Sequence, residues 1–558
     1  MNIVKPHFIA TALAASVAWS SSTLAEPKLV LQITVDQLRA DMPQMVKEHW
    51  GKKGFRWLYE NGLVYANAHH AHANTETIVG HTTLATGATP AVHGMVGNIW
   101  YDRELGRAVY NIEDPDYALL SADADVDDAN EIDPTQRAAN SDGRSPRAIR
   151  SSTLSDQIAL AGRGRAKIFG VSVKDRGAVA MAGHAGKAFW FSKAAGEFVT
   201  SNYYYERYPQ WVLDWNAATK HTKWSGSSWT LSLDENAYSA VDDAAWETNF
   251  PGYGITFPHS YGSSDSKYFT TLLTLSPAGD ELTADFAMAL IDAEAIGKDD
   301  VTDYLSVSFS STDYVGHLFG PASREAEDNL IRLDRTLEKL LEHVDKTIGL
   351  RNVVVVLSAD HGAADVAGYL QSLNIPAGNI NLSDFPDDSV NARLTARFGV
   401  GSELISAIEW PYLSLNHDLI AEQGLNSVEV AEAIAAELES IPGIFDALTT
   451  REMNAVDKAD YVKFAANNYA EGRSGDIHLV VNPHWFVADF DGLSVASTHG
   501  SPWAYDRHVP IIFVGKGIPA ARVDRAVSTT DVAPTVSALL NIGAPSGTTG
   551  HVLTEAIR

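Results

Sequence analysis

Six of the histidine and aspartate side chains are candidate metal ligands. They are Asp36, Asp313, His317, Asp360, His361 and His499. Six such ligands divide into two sets of three, and a three-ligand set that leaves one coordination position open is typical of catalytic zinc. Two metal ions about 4 Å apart can stabilise both oxygens of an in-line phosphoryl displacement. The residue types therefore predict a two-metal hydrolytic site. Because the chain has no cysteine, any zinc must be held by histidine and carboxylate.

Apolar, partly β-branched runs come directly before most of the residues that could do chemistry. Such continuous short runs predict strands of a parallel sheet that are buried on both faces. Ligands of open α/β sheets bind at the carboxyl ends of the strands. The four runs are 29–35 before Asp36, 168–173 before Lys174 and Arg176, 304–312 before Asp313, and 353–358 before Asp360 and His361. The pattern predicts that these side chains meet at one edge of a sheet.

Thr77 is the candidate nucleophile. Residues 78–84 can form a short helix that stops near Gly87, which places Thr77 at the helix N-terminus. Free backbone N–H groups and the helix dipole favour anions at that position. Threonine is also a common N-cap, so position alone does not assign the role.

Two stretches differ in composition from the predicted core and are interpreted as insertions, at about 178–300 and 366–475. The first is rich in tryptophan and tyrosine, and we expect it to pack on its own aromatic residues over the site. The polar stretch 112–148 is interpreted as a solvated loop. Asp123, Asp125 and Asp127 have the spacing of a calcium loop, but Asp128 and Pro134 replace its glycine and glutamate, so the match fails.

The net charge of −28 argues against nucleic-acid binding, which needs basic surface. Residues 1–25 have the features of a cleavable signal peptide, with cleavage predicted after Ala25. The alternative is a membrane anchor, but the apolar run 8–19 is shorter than the roughly 20 residues of a membrane-spanning helix. We therefore expect a periplasmic or secreted protein with no stable membrane anchor.

Eight motifs occur in the order typical of the alkaline phosphatase superfamily, between residue 35 and residue 540. The chain most resembles the PafA-type (Sphingomonas-like) bacterial alkaline phosphatases, which use a threonine nucleophile. The motifs are VDQLRAD, HANTETIVGHTTLATG, HGMVGN, VSVKDRG, SSTDYVGH, SADHG, STHGS and TTDVAPTVSALL. The resemblance implies an α/β alkaline phosphatase-like core, with a largely parallel central sheet flanked by helices and with insertions that form a cap-like subdomain. It implies one catalytic domain at 26–558.

The resemblance also implies residue roles and two zinc ions per chain. One zinc would be held by Asp313, His317 and His499, and the other by Asp36, Asp360 and His361, with the oxygen of Thr77 at its open position. Asn98, Lys174 and Arg176 would bind the phosphoryl group. The implied activity is hydrolysis of small phosphate monoesters through a phosphothreonine on Thr77, with inorganic phosphate as product. We expect a monomer.

Three other functions are weighed against this one. A nucleotide pyrophosphatase/phosphodiesterase of the same superfamily shares the threonine and both zinc ions but lacks the Lys-x-Arg pair, here Lys174 and Arg176. An inactive zinc-binding relative would not need Thr77. A sulfatase fits poorly, because its C/S-x-P-x-R motif is absent around Thr77.

Overall fold

The computed structural model describes residues 26–126, 131–383, 385–490 and 493–557, and its centre is a ten-stranded sheet. Five neighbouring strands run parallel, in the spatial order Val353–Ser358, Leu29–Val35, Asp303–Phe309, Ile168–Ser172 and Lys187–Ser192. The remaining five lie outside them and are His508–Val514, Leu63–His69, Ala521–Val523, Val527–Ser528 and Glu197–Val199. The predicted α/β class with a largely parallel sheet is confirmed.

The central strands are buried along their whole length because helices cover both faces of the sheet. Every residue of Leu29–Val35 is buried. Alternate side chains of a strand point to opposite faces, and Leu31 packs in one apolar cluster while Val30 packs in another. The first cluster includes the helices Pro277–Ala293 and Arg324–Thr347, and the second includes Leu154–Ala161 and Val532–Leu539.

The other α-helices are short. They are Met42–Met45, Phe55–Asn61, Thr77–Thr86, Pro90–His93, Pro134–Arg137, Asp175–Ala182, Gln210–Ala217, Phe269–Thr274, Ser311–Phe319, Ala367–Ser372, Asp388–Phe398, His417–Glu422, Ser427–Leu438, Thr450–Met453, Asp460–Asn468 and Ala504–Arg507. Single turns of 3-10 helix occur at Lys47–His49, Lys220–Trp224, Glu235–Ala237, Leu350–Asn352, Ser402–Leu404, Thr529–Asp531 and Thr554–Ile557. No helix among these described residues is both long enough and apolar enough to cross a membrane.

The second predicted insertion, together with the strand that follows it, forms a layer with its own sheet and its own core. Four antiparallel strands lie in the order Ile405–Glu409, Tyr412–Leu415, Ile477–Val481 and Ile444–Thr449. The helix Ser427–Leu438 packs Val430, Ile434 and Leu438 against this sheet in a separate apolar cluster. This is the cap-like subdomain that the resemblance implies.

The first predicted insertion packs differently from our expectation. Its aromatic residues Trp215, Trp229 and Phe250 lie in the same cluster as the central strands rather than in a separate aromatic core. The central sheet also continues into this range through Lys187–Ser192 and Glu197–Val199. The local sequence shows tryptophans and glycines but does not show which core they join.

Four small two-stranded pairings complete the fold. They are Ile99–Asp102 with Arg107–Tyr110, Ser228–Trp229 with His259–Ser260, Gly378–Ile380 with Trp485–Val487, and Asp489–Phe490 with Leu493–Ser494. The predicted signal peptide, residues 1–25, lies outside the described residues.

Candidate active site

The six predicted metal ligands meet at the carboxyl ends of the central strands. Asp36 directly follows the strand Leu29–Val35, and Asp360 with His361 follows Val353–Ser358. Asp313 and His317 lie one turn apart on the helix Ser311–Phe319, with 3.2 Å between Asp313 Oδ1 and His317 Nε2. His499 reaches the same place from the C-terminal part of the chain, where its Nε2 lies 3.5 Å from Asp313 Oδ1.

The ligand residues form two groups of three. Within each group, the three ligand atoms all lie within 4.8 Å of one another. Asp36, Asp360 and His361 form one group, and this is one of the two predicted sets. Asp313 and His499 form the other, with His361 as the third member where His317 was expected. His361 therefore lies between the two groups, and the assignment of His317 to a metal stays a prediction.

Hydrogen bonds to the backbone orient three of the histidines. Nδ1 of His317 lies 2.9 Å from the carbonyl oxygen of Ser497, Nδ1 of His499 lies 2.6 Å from that of Thr75, and Nδ1 of His361 lies 2.9 Å from that of Gly362. A carbonyl only accepts, so each Nδ1 carries a proton, and Nε2 is the ring atom left to bind a metal ion. This is the tautomer that a metal ion needs, and such outer contacts commonly hold histidine ligands in place.

The carboxylates of the site are buried with unused hydrogen-bonding capacity. Among the described residues, the oxygens of Asp36, Oδ2 of Asp360 and Nε2 of His361 have no contact of hydrogen-bond geometry, although charged or ring nitrogens lie close to them. Lys174 Nζ is the nearby compensating cation, as an ion pair 2.7 Å from Asp36 Oδ2. Buried polar atoms without partners are rare. Divalent cations would satisfy these atoms, so the residues fit a metal site.

The pKa values of the site show how tightly its charges interact. Burial and the charge of Asp313 raise the pKa of Asp36, but Lys174 and His361 outweigh them and hold that pKa below its ordinary value. Burial lowers the pKa of His361, yet Asp360 and Asp36 raise it to about 9. Burial and the charge of Asp36 raise the pKa of Asp360. The three carboxylates thus require positive charge beside them.

Thr77 is the first residue of the helix Thr77–Thr86, as predicted, and that helix ends at Gly87 with φ of 65°. Thr77 lines the cavity in front of the ligand residues. Asn98 also lines it, and its Oδ1 accepts a hydrogen bond from the backbone N–H of Ile78 at 3.2 Å. That contact leaves the amide N–H groups of Asn98 to donate to a substrate.

A glycine on this helix allows it to lie against the metal ligands. A Cβ atom at Gly80 would lie 1.9 Å from the backbone oxygen of Asp360. His81, one residue later, is held by the carbonyl of Thr77 at 2.9 Å from its Nδ1 and by Ser308 Oγ at 2.8 Å from its Nε2. Gly80 thus allows the helix to approach Asp360 closely, and His81 ties the helix to the strand Asp303–Phe309 through Ser308.

Lys174 and Arg176, both predicted to bind phosphate, occupy different positions. Lys174 is buried, and its Nζ lies 2.7 Å from Asp36 Oδ2 and 2.5 Å from Asp313 Oδ2. Arg176 lines the cavity beside Thr77. Lys174 therefore lies between carboxylates of the two ligand groups, while Arg176 can face a substrate.

The interpretation of residues 112–148 as a solvated loop is wrong at Asp133. This carboxylate is buried, lines the cavity and accepts a hydrogen bond from Arg176 Nη1 at 2.8 Å. The helix Pro134–Arg137 begins after it, and Asp133 Oδ1 caps that helix. Of the calcium-loop positions, Asp127 and Asp128 lie outside the described residues.

Gln37 is a second residue that sequence reasoning missed. Its Nε2 donates to Asp313 Oδ1 at 2.8 Å, and its backbone N–H donates to Asp360 Oδ1 at 3.1 Å. It adopts a left-handed φ of 64°, which is uncommon for a residue with a side chain and clusters at functional sites. Its position directly after Asp36 was the only signal in the sequence.

The cavity in front of these residues has a volume of about 280 Å³. We call its inner part the phosphate end, defined by Thr77, Asn98, Arg176, Asp313 and His499. The cap-like subdomain and the segment after it supply what we call the apolar wall, defined by Trp410, Val481, Trp485, Phe486 and Val487. The first insertion contributes one described residue to the lining, Leu275. It does not cover the site as expected. The second insertion contributes Glu409 and Trp410, and the rest of the apolar wall follows that insertion in the chain.

A family model described as type I phosphodiesterase/nucleotide pyrophosphatase matches residues 30–502. Alkaline phosphatase PafA of Elizabethkingia meningoseptica is 35% identical over 97% of this chain and 96% of the relative. Alkaline phosphatase PhoV of Synechococcus elongatus is 33% identical over 96% of this chain and 94% of the relative.

A crystal structure of wild-type alkaline phosphatase PafA superposes with a TM-score of 0.86. It is 34% identical in sequence, and the match covers 96% of this chain and 100% of the crystallised one. The sequence comparison and the structural comparison therefore indicate the same relatives, and each covers nearly the whole chain.

Proposed function

The chain belongs to the type I phosphodiesterase/nucleotide pyrophosphatase family of the alkaline phosphatase superfamily, and from this premise we propose that it is an alkaline phosphatase that hydrolyses phosphate monoesters. The observation that carries the proposal is the phosphate end of the cavity. There a threonine at a helix N-terminus, a buried arginine and ligand-type side chains line the same space. This set can bind a dianion and supply a hydroxyl nucleophile, which a binding protein would not need.

Two zinc ions are the metals we propose, because the ligands are nitrogen and carboxylate oxygen and the chain has no thiols. The residues proposed to hold them are Asp36, Asp360, His361 and Thr77 for one ion, and Asp313, His317 and His499 for the other. When bound, zinc supplies Lewis-acid chemistry that favours an ionised hydroxyl and neutralises negative charge on phosphoryl and ester oxygens.

The side chains of the protein bind and orient the phosphoryl group. Arg176 can donate two parallel N–H groups to two oxygens, and the Asn98 amide can donate to a third. The oxygen of Thr77 attacks phosphorus in line, a P–O bond forms to Thr77, and the P–O bond to the alcohol breaks on the opposite side. Water then attacks the phosphothreonine, which releases inorganic phosphate and regenerates the Thr77 hydroxyl.

We propose further that residues 1–25 are a signal peptide, that residues 26–558 form one catalytic domain, and that the mature monomer acts in the periplasm or outside the cell. The apolar run 8–19 and the small residues at positions 23 and 25 are features of an export signal and support this proposal. Mass spectrometry of the protein recovered from the periplasm tests the cleavage site, and an N-terminus other than Glu26 would contradict it.

The phosphodiesterase activity named in the family description is the alternative, and one experiment separates the two. Purified protein is assayed with 4-nitrophenyl phosphate and with bis(4-nitrophenyl) phosphate at the same pH. We expect kcat/KM to favour the monoester by several orders of magnitude. A preference for the diester would overturn the proposal in favour of the alternative, and no hydrolysis of either by zinc-loaded protein would overturn both.

A further inference from the structure

The apolar wall is the part of the cavity that the proposed chemistry does not use. It faces the same space as Thr77, but its five side chains carry no charge, and only the two indole N–H groups can donate a hydrogen bond. Trp410 and Trp485 are half-buried, so part of each indole is open to the cavity. A phosphate ester that places its phosphorus at Thr77 must place its organic group elsewhere in this cavity.

The two indoles are held in place by their surroundings. Trp485 packs its six-membered ring on the backbone at Gly378 and Gly443, where a Cβ atom would lie 2.8 Å and 2.4 Å from ring carbons. Trp410 Nε1 lies 3.4 Å from where a Cβ of Gly500 would be, directly beside the ligand residue His499. The wall is therefore preorganised, and it is continuous with the phosphate end.

The cavity is large enough for a ring beside the phosphoryl group. Its volume of about 280 Å³ exceeds the roughly 150 Å³ of an engineered apolar cavity that binds benzene. Flat rings pack well on tryptophan, through offset stacking or edge contacts.

The carboxylate of Glu409 lies beside this wall. Glu409 lines the cavity next to Trp410, and its side chain has no hydrogen-bond or ion-pair partner among the residues that the structure describes. Burial raises the pKa of this carboxyl, so its charge is fully present only at the higher pH at which it is ionised. A nearby unpaired negative charge repels anionic groups and attracts cationic ones.

We propose that the apolar wall is a subsite for the organic group of the phosphate ester, that it binds aromatic rings, and that Glu409 selects uncharged or cationic rings over acidic ones. The inference rests on the proposed function, since it names the class of monoester that the same site takes: aryl-bearing, non-acidic phosphate monoesters.

The test compares two alkyl esters whose leaving oxygens have nearly the same chemistry. Wild-type kcat/KM is measured for 2-phenylethyl phosphate and for ethyl phosphate. We expect a preference for the phenyl ester of about 10-fold or more, the size expected for burying an aromatic ring. A ratio near one overturns the subsite while both esters are still cleaved. Failure to cleave either ester would instead overturn the proposed function.

Substitutions in the wall locate the preference. Trp410→Ala and, independently, Val487→Asp should each lower the phenyl-to-ethyl ratio by about 3-fold or more. The matched control is Trp246→Ala, which removes a half-buried indole outside this cavity and should keep the ratio. Circular dichroism and thermal melts confirm folding. If the wall variants that fold keep the wild-type ratio, or if Trp246→Ala lowers it equally, the subsite is not the apolar wall.

Glu409→Gln tests the charge selection. In the wild type and in the variant, kcat/KM is measured for a cationic ester, 2-(4-aminomethylphenyl)ethyl phosphate, and for an acidic ester, 2-(4-carboxyphenyl)ethyl phosphate. The ratio of the first value to the second is then compared. The substitution should lower this ratio by about 3-fold or more, because it removes the local charge and leaves the net negative charge of the protein almost unchanged. An unchanged ratio would assign the selection to the protein as a whole and remove Glu409 from the proposal.

Discussion

The two ends of the cavity are built on different principles. The phosphate end is formed by residues of helices that follow strands of the central sheet, together with Asn98 and His499 from connecting segments. These residues and their neighbours are largely buried and are tied by ion pairs, such as Lys174 to Asp313 and Arg176 to Asp133. The apolar wall belongs to the cap-like subdomain and the segment after it, and its indoles are half-buried.

Because of this difference, we expect the phosphate end to determine the turnover rate and the apolar wall to determine which ester is preferred. The phosphoryl group changes charge and geometry in the transition state, so contacts at the phosphate end can lower the barrier. The organic group changes little, so contacts with the apolar wall bind ground state and transition state almost equally. Substitutions at the phosphate end should therefore lower turnover of all esters, and substitutions in the wall should change which ester is preferred.

Removal of metal is expected to have the largest effect. Dialysis against a chelator should abolish turnover of every ester, because three buried carboxylates would lose the positive charge that compensates them. Zinc should restore turnover, and metal analysis should find two equivalents per chain. Full activity in protein shown to be metal-free would contradict the proposed cofactor.

Thr77→Ala should come next, with a loss of about 10⁴-fold or more in kcat, as expected when a nucleophile is removed. Thr77→Ser should retain part of the activity because it keeps a hydroxyl. The matched control is Thr82→Ala on the same helix, whose buried hydroxyl has no hydrogen-bond partner among the described residues. Mass spectrometry of acid-quenched protein should find phosphate at residue 77, and phosphate at another threonine would refute the assignment.

The pair Lys174→Ala/Arg176→Ala should lower monoester kcat/KM by about two to four orders of magnitude, at roughly 1.5–3 kcal/mol per charge-assisted contact. The diester rate should fall much less, because a diester carries one charge fewer and lacks the third free oxygen. The single variants separate the two residues: Lys174 pairs with metal-ligand carboxylates, whereas Arg176 lines the cavity. Equal loss of both activities in Arg176→Ala would show that the arginine does not discriminate between the substrates.

Asp133→Asn should have the smallest effect at the phosphate end, about 10-fold on monoester kcat/KM. The amide keeps the shape of the side chain but loses the charge that orients Arg176 at 2.8 Å. The diester rate should change by less than about 3-fold, and Asp133→Glu should restore part of the monoester rate.

The control for Asp133 is Asp116→Asn, which removes an exposed acid paired with Arg147 in the same segment and should change neither rate. A loss in Asp133→Asn that is equal for monoester and diester would mean that the acid supports the fold rather than the arginine.

The position of Asp133 shows where local reasoning stops. Residues 112–148 are polar and acidic, and that composition predicts solvent exposure. Nothing near Asp133 in the sequence indicates that Arg176, 43 residues later, will face it. The same holds for the apolar wall: Trp410 and Trp485 belong to segments whose patterns describe their own strands and helices but not the cavity that they line.

The sequence by itself determined four of the five parallel central strands, the helix that begins at Thr77 and the residues that could bind metal. These follow from local features: continuous apolar runs, a glycine that ends a helix, and the chemistry of single side chains. Only the tertiary structure decided that His361 lies between the two ligand groups and that Lys174 bridges Asp36 and Asp313. It also decided that the apolar wall comes from Trp410 and from the segment after the second insertion. These are contacts between residues far apart in the chain, and they depend on how whole layers pack, which the periodicity of a single segment does not record.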